Sequence, residues 1–447
     1  MPPQMSEQPP VNADLVIAAR WVVPVEPAGV VLENHAVVVS AGRIVAVLPD
    51  AEARQRFDAA TTLSRPGHVL LPGLVNTHAH AAMTLFRGLA DDLPLDRWLE
   101  QHIWPAEERW AGPEFVRDGT RLAMLEMIRG GTTCFNDMYY FPDVVADLAV
   151  EHHVRAAVGM IVIEQSTPWA RSVEEYFSKG LAVHDQYRGH PLVRTTFAPH
   201  APYTVSDQTL QRVRLLADEL DVPVHMHVHE GRREVEQGIR MHGRRPLTRL
   251  DDLALLSSLF MAVHLTELSA PEIELLASRN VTAVHCPESN LKLGSGFCPV
   301  NRLAAAGVNV ALGTDGAASN NNLDMLGEMR TAALLAKGVS GDTSALPAHE
   351  ALAMATLNGA RALGLGEEIG SLRPGKWADL ISVDLRHPAT QPAHHVISQL
   401  VYSAGTAQVR DAWIGGRQVL DDGCATLFDE TAILARAEAW RERFAGA

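Results

Sequence analysis

Two histidines close the segment Asn76-Thr77-His78-Ala79-His80, directly after the apolar run Val69-Leu70-Leu71-Pro72-Gly73-Leu74-Val75. Side chains alternate along a strand, so His78 and His80 point to one face and can reach one ion. The apolar run reads as buried on both sides, as a strand of a parallel barrel is. A metal pair at the C-terminal tip of such a strand is where a (β/α)8 barrel places its chemistry.

Five further apolar runs end in the same way. One ends Phe197-Ala198-Pro199-His200 and the next runs Val224-His225-Met226-His227-Val228-His229-Glu230. The others end Val263-His264, Val284-His285-Cys286 and Leu312-Gly313-Thr314-Asp315. A lone case reads as a core histidine or a capping aspartate; five strand ends doing the same thing point to a shared site. Imidazole with carboxylate suits zinc or iron, whereas a magnesium site would be mostly oxygen. His78, His80, one histidine of the fifth strand and Asp315 make three nitrogens and one oxygen, with a position open for water. His225, His227 and His229 share one face, so alternation does not choose among them.

The elements that must hold these residues repeat along the chain. Eight strand-length apolar runs fall at Val69–Val75, Thr132–Asn136, Arg155–Val162, Val193–Ala198, Val222–Val228, Leu259–Leu265, Val281–Cys286 and Val308–Gly313. Helical stretches such as Pro113–Arg129, stopped by Gly130-Gly131, and Gln208–Leu220 lead into them. Strands alternating with helices mean parallel βαβ units, and eight of them favour a closed α/β barrel. Both ends of the chain instead show short alternating strands with Gly-containing turns, including 36–39, 43–47 and 377–383. The expected organisation is a disordered tail at 1–12 and a TIM-like (β/α)8 barrel at 67–372. A small β-sandwich domain would be built from 13–66 and 373–447, the latter with a terminal helix over 432–444.

Bulk properties narrow the function. The 447 residues are 47% hydrophobic and 20% charged, as in a globular enzyme. Thirty-eight basic against 53 acidic residues give a formal charge of −15, which disfavours nucleic acid and anionic membranes. No stretch approaches the ~20 apolar residues of a membrane span. Four cysteines without a CxxC pair read as reduced thiols, and the Pro/Gln-rich start lacks a signal core, so a cytoplasmic location is expected.

The order HxH, then His after strands 5 and 6, then Asp after strand 8, resembles the amidohydrolase superfamily over nearly the whole chain. Leu71-Pro72-Gly73-Leu74-Val75-Asn76-Thr77-His78-Ala79-His80 with Arg87-Gly88-Leu89-Ala90-Asp91-Asp92 is similar to its branch that deaminates aromatic heterocycles. Ser289-Asn290-Leu291-Lys292-Leu293-Gly294-Ser295-Gly296 and Gly313-Thr314-Asp315-Gly316-Ala317-Ala318-Ser319-Asn320-Asn321 add to this. Within the branch the chain most resembles the 5′-methylthioadenosine/S-adenosylhomocysteine deaminases.

The resemblance implies His78, His80, His227 and Asp315 as metal ligands, His227 being picked by the family's H-x-x-E pattern with Glu230. It implies Glu230 as proton shuttle, His264 as the group that orients water, and Asp315 as its base. It implies Glu107, His200, Arg155 and Arg171 as substrate contacts, together with Glu230. The cofactor expected is one zinc per subunit, with iron as the other option. Binuclear barrel hydrolases use a carbamylated lysine. The only lysine between His80 and His227 is Lys179, in a helical stretch, so a single ion is expected. The partners expected are a small nucleoside and a second copy in a homodimer. The rival reading is a deaminase or dechlorinase of guanine, a pterin, cytosine or a triazine. Cyclic-amide hydrolysis is disfavoured by the missing lysine, and the HxE…PCxxC signature of cytidine deaminases is absent. A barrel kept only for binding would have lost a ligand or Glu230.

Overall fold

A computed structural model of the chain describes residues 10–446. The first nine residues of the expected tail lie outside these, and its last two, Val11 and Asn12, already belong to the strand Val11–Val22.

The apolar run at 69–75 divides at Gly73 between two sheets. Upstream, the strand Phe57–Pro72 pairs parallel with Val11–Val22 and antiparallel with Leu380–Asp384. Downstream, Leu74–Ala79 opens the barrel. A Cβ at Gly73 would stand 2.0 Å from Thr133 Oγ1, so glycine is required where the chain crosses over. The histidine pair therefore sits in and just after a shorter strand than the apolar run indicates.

The barrel strands are β1 (Leu74–Ala79), β2 (Thr132–Asp137), β3 (Arg155–Val162) and β4 (Val193–Pro199). They continue as β5 (Val224–Val228), β6 (Phe260–His264), β7 (Thr282–His285) and β8 (Val310–Leu312). All neighbours are parallel and in sequence order. Just beyond β8, a bridge between Ala79 and Asp315 joins the two end strands, with the Asp315 N–H donating to His78 O at 3.0 Å. Val75, Cys134, Ala157, Met261, Val284 and Ala311, from six different strands, pack into one cluster, so the barrel is filled rather than hollow.

Strands from both ends of the chain interleave in a single mixed eight-stranded sheet, in which Leu380–Asp384 adjoins Phe57–Pro72 and Val409–Ile414 follows. The helix Glu430–Ala445 lies on its own barrel, where Trp440 Nε1 donates to Asp118 at 2.9 Å. Among the described residues, no helix is long and apolar enough to cross a membrane.

Candidate active site

Parallel strands carry their C-terminal ends to one rim, and the polar strand ends converge there. His78 Nε2 and His80 Nε2 each lie 3.1 Å from Asp315 Oδ1. His227 Nε2 lies 3.2 Å from His78 Nε2. One ligand atom each from His78, His227, His264 and Asp315 falls within 4.8 Å of all the others. His80 joins this group through Asp315, and His264, assigned only to water from the sequence, stands among the ligand atoms.

The tautomers follow from the partners behind each ring. His80 Nδ1 is 2.6 Å from Met138 O, and His227 Nδ1 is 2.9 Å from His200 O. A carbonyl only accepts, so both Nδ1 atoms carry hydrogen. His227 Nε2 turns its lone pair to the centre. Burial lowers His80, but Asp315 and the Met138 carbonyl outweigh it and raise the ring to about 9, so its Nε2 donates to Asp315 unless a cation replaces the proton. His264 is held likewise by Asn290 Oδ1 at 2.9 Å. His78 is backed by His225, whose Nε2 lies 2.9 Å from His78 Nδ1.

Burial pulls His78 down to about 3 and His227 well below the usual range, so both are neutral imidazoles, the form that binds metal. Burial pushes Asp315 up, but hydrogen bonds from His78 and His80 outweigh it and hold the carboxyl well below its usual value. Its other oxygen, Oδ2, accepts from Ser289 Oγ at 2.6 Å and Ser319 Oγ at 2.8 Å. Buried imidazole nitrogens gathered on one carboxylate oxygen offer a divalent cation its ligands once it displaces the proton they share with Asp315. The donor set fits zinc or iron. Lys179, on a helix outside the barrel strands, pairs with Glu175 at 2.8 Å and offers no bridging ligand.

These groups open into a cavity of about 490 Å³. Glu230 lines it, with its carboxyl pushed up by burial and its Oε1 3.8 Å from His264 Nε2. The backbone N–H groups of His229 and Glu230 are both held by the buried Glu234 carboxylate at 2.9 Å. Glu107 enters from the helix α1 (Trp104–Trp110), beside Tyr139 and Tyr140, which follow β2. His200, at the end of β4, completes the far wall.

Two expected substrate contacts fall elsewhere. Arg155 opens β3 and so lies at the opposite end of the barrel, on the order of 20 Å from the rim. There its Nε and Nη2 pair with Asp379 at 2.7 and 3.0 Å. Arg171 is exposed beyond the loop whose residues Gln165–Pro168 line the cavity, and does not line it. No arginine or lysine lines the cavity among the described residues. Arg232 and Arg233 border an adjoining outer chamber, where Arg233 is already paired with Asp96 and Glu100.

Sequence reasoning missed Glu234, Ser289, Ser319 and the tyrosine pair. Ser319 carried a signal, since it follows Asp315 by one helical turn. The tyrosines carried none beyond lying past a strand end.

Fold and site define a barrel hydrolase of the histidine–aspartate metal type. The sequence pattern of the amidohydrolase family matches residues 69–419, and the chain belongs to that family. A 5-methylthioadenosine/S-adenosylhomocysteine deaminase of Teredinibacter turnerae is 47% identical over 430 residues, covering 96% of this chain and 97% of its own length. A 5'-deoxyadenosine deaminase of Methanothermobacter thermautotrophicus is 45% identical over 382 residues, covering 86% and 89%. The crystal structure of an adenosine deaminase from Xanthomonas campestris with bound zinc superposes with a TM-score of 0.97 at 56% identity, covering 98% of this chain and 100% of that one.

Proposed function

We propose that the protein deaminates the adenine ring of 5′-substituted adenosines, 5′-methylthioadenosine foremost, giving the inosine analogue and ammonia. The observation that carries this is that Glu230 and the His78/His227/His264/Asp315 cluster meet at one cavity, Glu230 Oε1 lying 3.8 Å from His264 Nε2, so an acid and a base stand side by side where a ring would be presented. The names of the relatives support the nucleoside.

His78, His80, His227 and Asp315 would hold one zinc ion. When bound, it supplies Lewis acidity that brings the pKa of the attacking water toward ~7. Asp315 takes that water's proton, and its two serine partners keep Oδ1 turned toward the reaction. His264, with Nδ1 bound to Asn290, presents Nε2 to the water and orients it. Glu230, protonated more readily than a solvent-exposed glutamate, gives its proton to ring N1, which makes C6 electrophilic. The C6–O bond forms; Glu230, now a carboxylate, takes the proton of the new C6 hydroxyl as it becomes a carbonyl, Asp315 hands the water's first proton to the amine, the C6–N bond breaks and ammonia leaves. Glu107 accepts hydrogen bonds from the ribose, and His200 faces the base.

With no arginine or lysine lining it among the described residues, the cavity favours an uncharged 5′ tail. Ammonia release by the zinc-loaded protein is expected with 5′-methylthioadenosine and adenosine ahead of S-adenosylhomocysteine, and ahead of guanine. Turnover of guanine, a pterin or a triazine with no turnover of any adenosine compound would overturn the reading.

Burial lifts Glu107 to about 7, though Tyr139 and Tyr140 draw it down. Above that pH the carboxylate accepts two hydroxyl protons; below it, one acceptor is lost. The KM for adenosine is therefore expected to rise as pH falls through about 7, while the KM for 2′,3′-dideoxyadenosine stays level. Parallel KM profiles for the two substrates would remove Glu107 from the ribose.

A further inference from the structure

Strand alternation puts the two proton-handling groups on the wrong face. On β5, His225 and His227 face the barrel axis, where they meet His78, while Val224, Met226 and Val228 fall in the cluster formed with the covering helices. On β6, Met261 and Val263 fill the barrel, while Phe260 and Ala262 belong to the outer cluster. Glu230 and His264 continue the outward series, yet both line the catalytic cavity. The backbone supplies the reason. His229, directly before Glu230, has φ 53°, His264 itself has φ 77° and Leu265 has φ 51°. All three residues carry a Cβ. Left-handed backbone costs free energy in such residues, so it persists only where the surroundings enforce it.

The turn at His229 is braced on every polar atom of the His229 and Glu230 main chain. Glu234, in the first turn of the helix Arg232–His242, accepts the His229 N–H on one oxygen and the Glu230 N–H on the other, each at 2.9 Å. Thr266 takes the carbonyls. Its N–H donates to His229 O at 2.9 Å, and its hydroxyl lies 3.1 Å from His229 O and 2.9 Å from Glu230 O. The same hydroxyl is 3.2 Å from Ser295 O, and a Cβ at Gly296 would stand 3.2 Å from Thr266 Cβ, so the loop after β7 closes over the brace. Glu234 and Thr266 are both buried, and neither lines the catalytic cavity. We propose that Thr266 and Glu234 are positioning residues for Glu230: they lock the left-handed turn at His229 that swings its carboxyl out of strand register and into the cavity beside His264. Thr266 follows His264 by two residues, so one side chain fixes the spacing of both proton-handling groups. This rests on the role given to Glu230 in the deaminase reading. Loss of the brace acts on the chemical step through Glu230 and leaves metal and substrate binding alone.

Thr266→Val keeps the shape and the backbone N–H and removes the hydroxyl, whereas Thr266→Ser keeps the hydroxyl. Each is made in the otherwise unmodified protein and in Glu230→Gln. Ammonia release from 5′-methylthioadenosine by the zinc-loaded proteins is followed beside zinc content. Thr266→Val is expected to lower kcat about ten- to a hundredfold, in the range of a catalytic group displaced by about an ångström, with KM and zinc content within about twofold. Thr266→Ser should stay within about threefold of the unmodified rate. In the Glu230→Gln background Thr266→Val should cost less than about twofold, since the carboxyl it positions is gone. Equal factors in both backgrounds would mean a general structural role and overturn the proposal, as would a full-rate Thr266→Val or a Thr266→Ser as slow as Thr266→Val. Should Thr266→Val fail to fold, Glu234→Gln, which turns an amide N–H toward one of the two backbone donors, goes through the same cycle with the same expectations. If the unmodified protein deaminates no adenosine compound, the deaminase reading fails and the brace is judged by amide hydrogen exchange at His229 and Glu230. Faster exchange in Thr266→Val than in Thr266→Ser then supports it, and equal protection in the two overturns it.

Discussion

Glu230→Gln is expected to bind metal as the unmodified protein does and to lose most of its turnover. Glutamine has the same size and can still meet N1 with an amide N–H, but it cannot surrender a proton and take one back. Acid–base steps contribute about 10²–10⁴-fold each, and Glu230 is assigned two, so a fall in kcat of at least about a thousandfold is expected. The proposed ligands His78, His80, His227 and Asp315 are held by one another, and none of their contacts runs through Glu230. Its backbone is pinned by Glu234 whichever side chain it bears. Metal content by atomic emission, measured beside kcat on the same preparation, separates the two effects. Full turnover in a metal-loaded variant would end the role assigned to Glu230.

Arg155→Ala is expected to destabilise the fold by about 3–5 kcal/mol, the usual result of breaking a buried ion pair from one side. Arg155 and Asp379 are each 3% exposed, and two parallel hydrogen bonds join them. Asp379 also accepts the Gly415 N–H at 2.8 Å, so the pair ties a barrel strand to the sheet built by the chain's two ends. Removing the guanidinium strands a carboxylate away from water. The KM for S-adenosylhomocysteine, measured on protein that remains folded, should not change. Urea unfolding beside steady-state kinetics decides the matter. A raised KM with intact stability would return Arg155 to the substrate.

The convergence of His78, His80, His227 and Asp315 was legible because two simple periods govern it. Alternation put His78 and His80 on one face, and the common direction of parallel strands put every strand end on one rim. Alternation failed at β5, where three histidines share a parity. There the structure places His227 near the strand's tip, facing the cluster. His225 is a residue pair deeper, against His78, and His229 lies past the strand at φ 53°, near Glu272 and the Leu247 N–H. The first strand was overdrawn because an apolar run does not show which sheet it joins; the close approach of Gly73 to Thr133 divides it. Arg155 was misplaced for a related reason. Motif matching found a residue type, whereas its position at the start of a strand fixes it at the far end of the barrel. Tyr139 lies in a loop and Glu234 and Ser289 in the first turns of helices past the strand ends, where the alternation of the strands gives no sign of which polar side chains turn inward.

The bridge between Ala79 and Asp315 has a consequence for how the molecule holds its shape. Six strand-to-strand joins of the barrel pair three or more residues, while β4–β5 pairs only Phe197 with Val224 and the join between the first and last strands is a single bridge. His78 and His80 stand on one side of that seam and Asp315 on the other. Whatever cation the three residues share is therefore a clasp as well as a reagent. A ligand that binds only the folded chain stabilises it by about 4 kcal/mol at a thousandfold excess over its Kd, and here that energy is delivered at one of the two thinnest joins of the ring. Selection for turnover and selection for closure act on the same side chains, so a lineage that discarded the chemistry would also have to mend the seam.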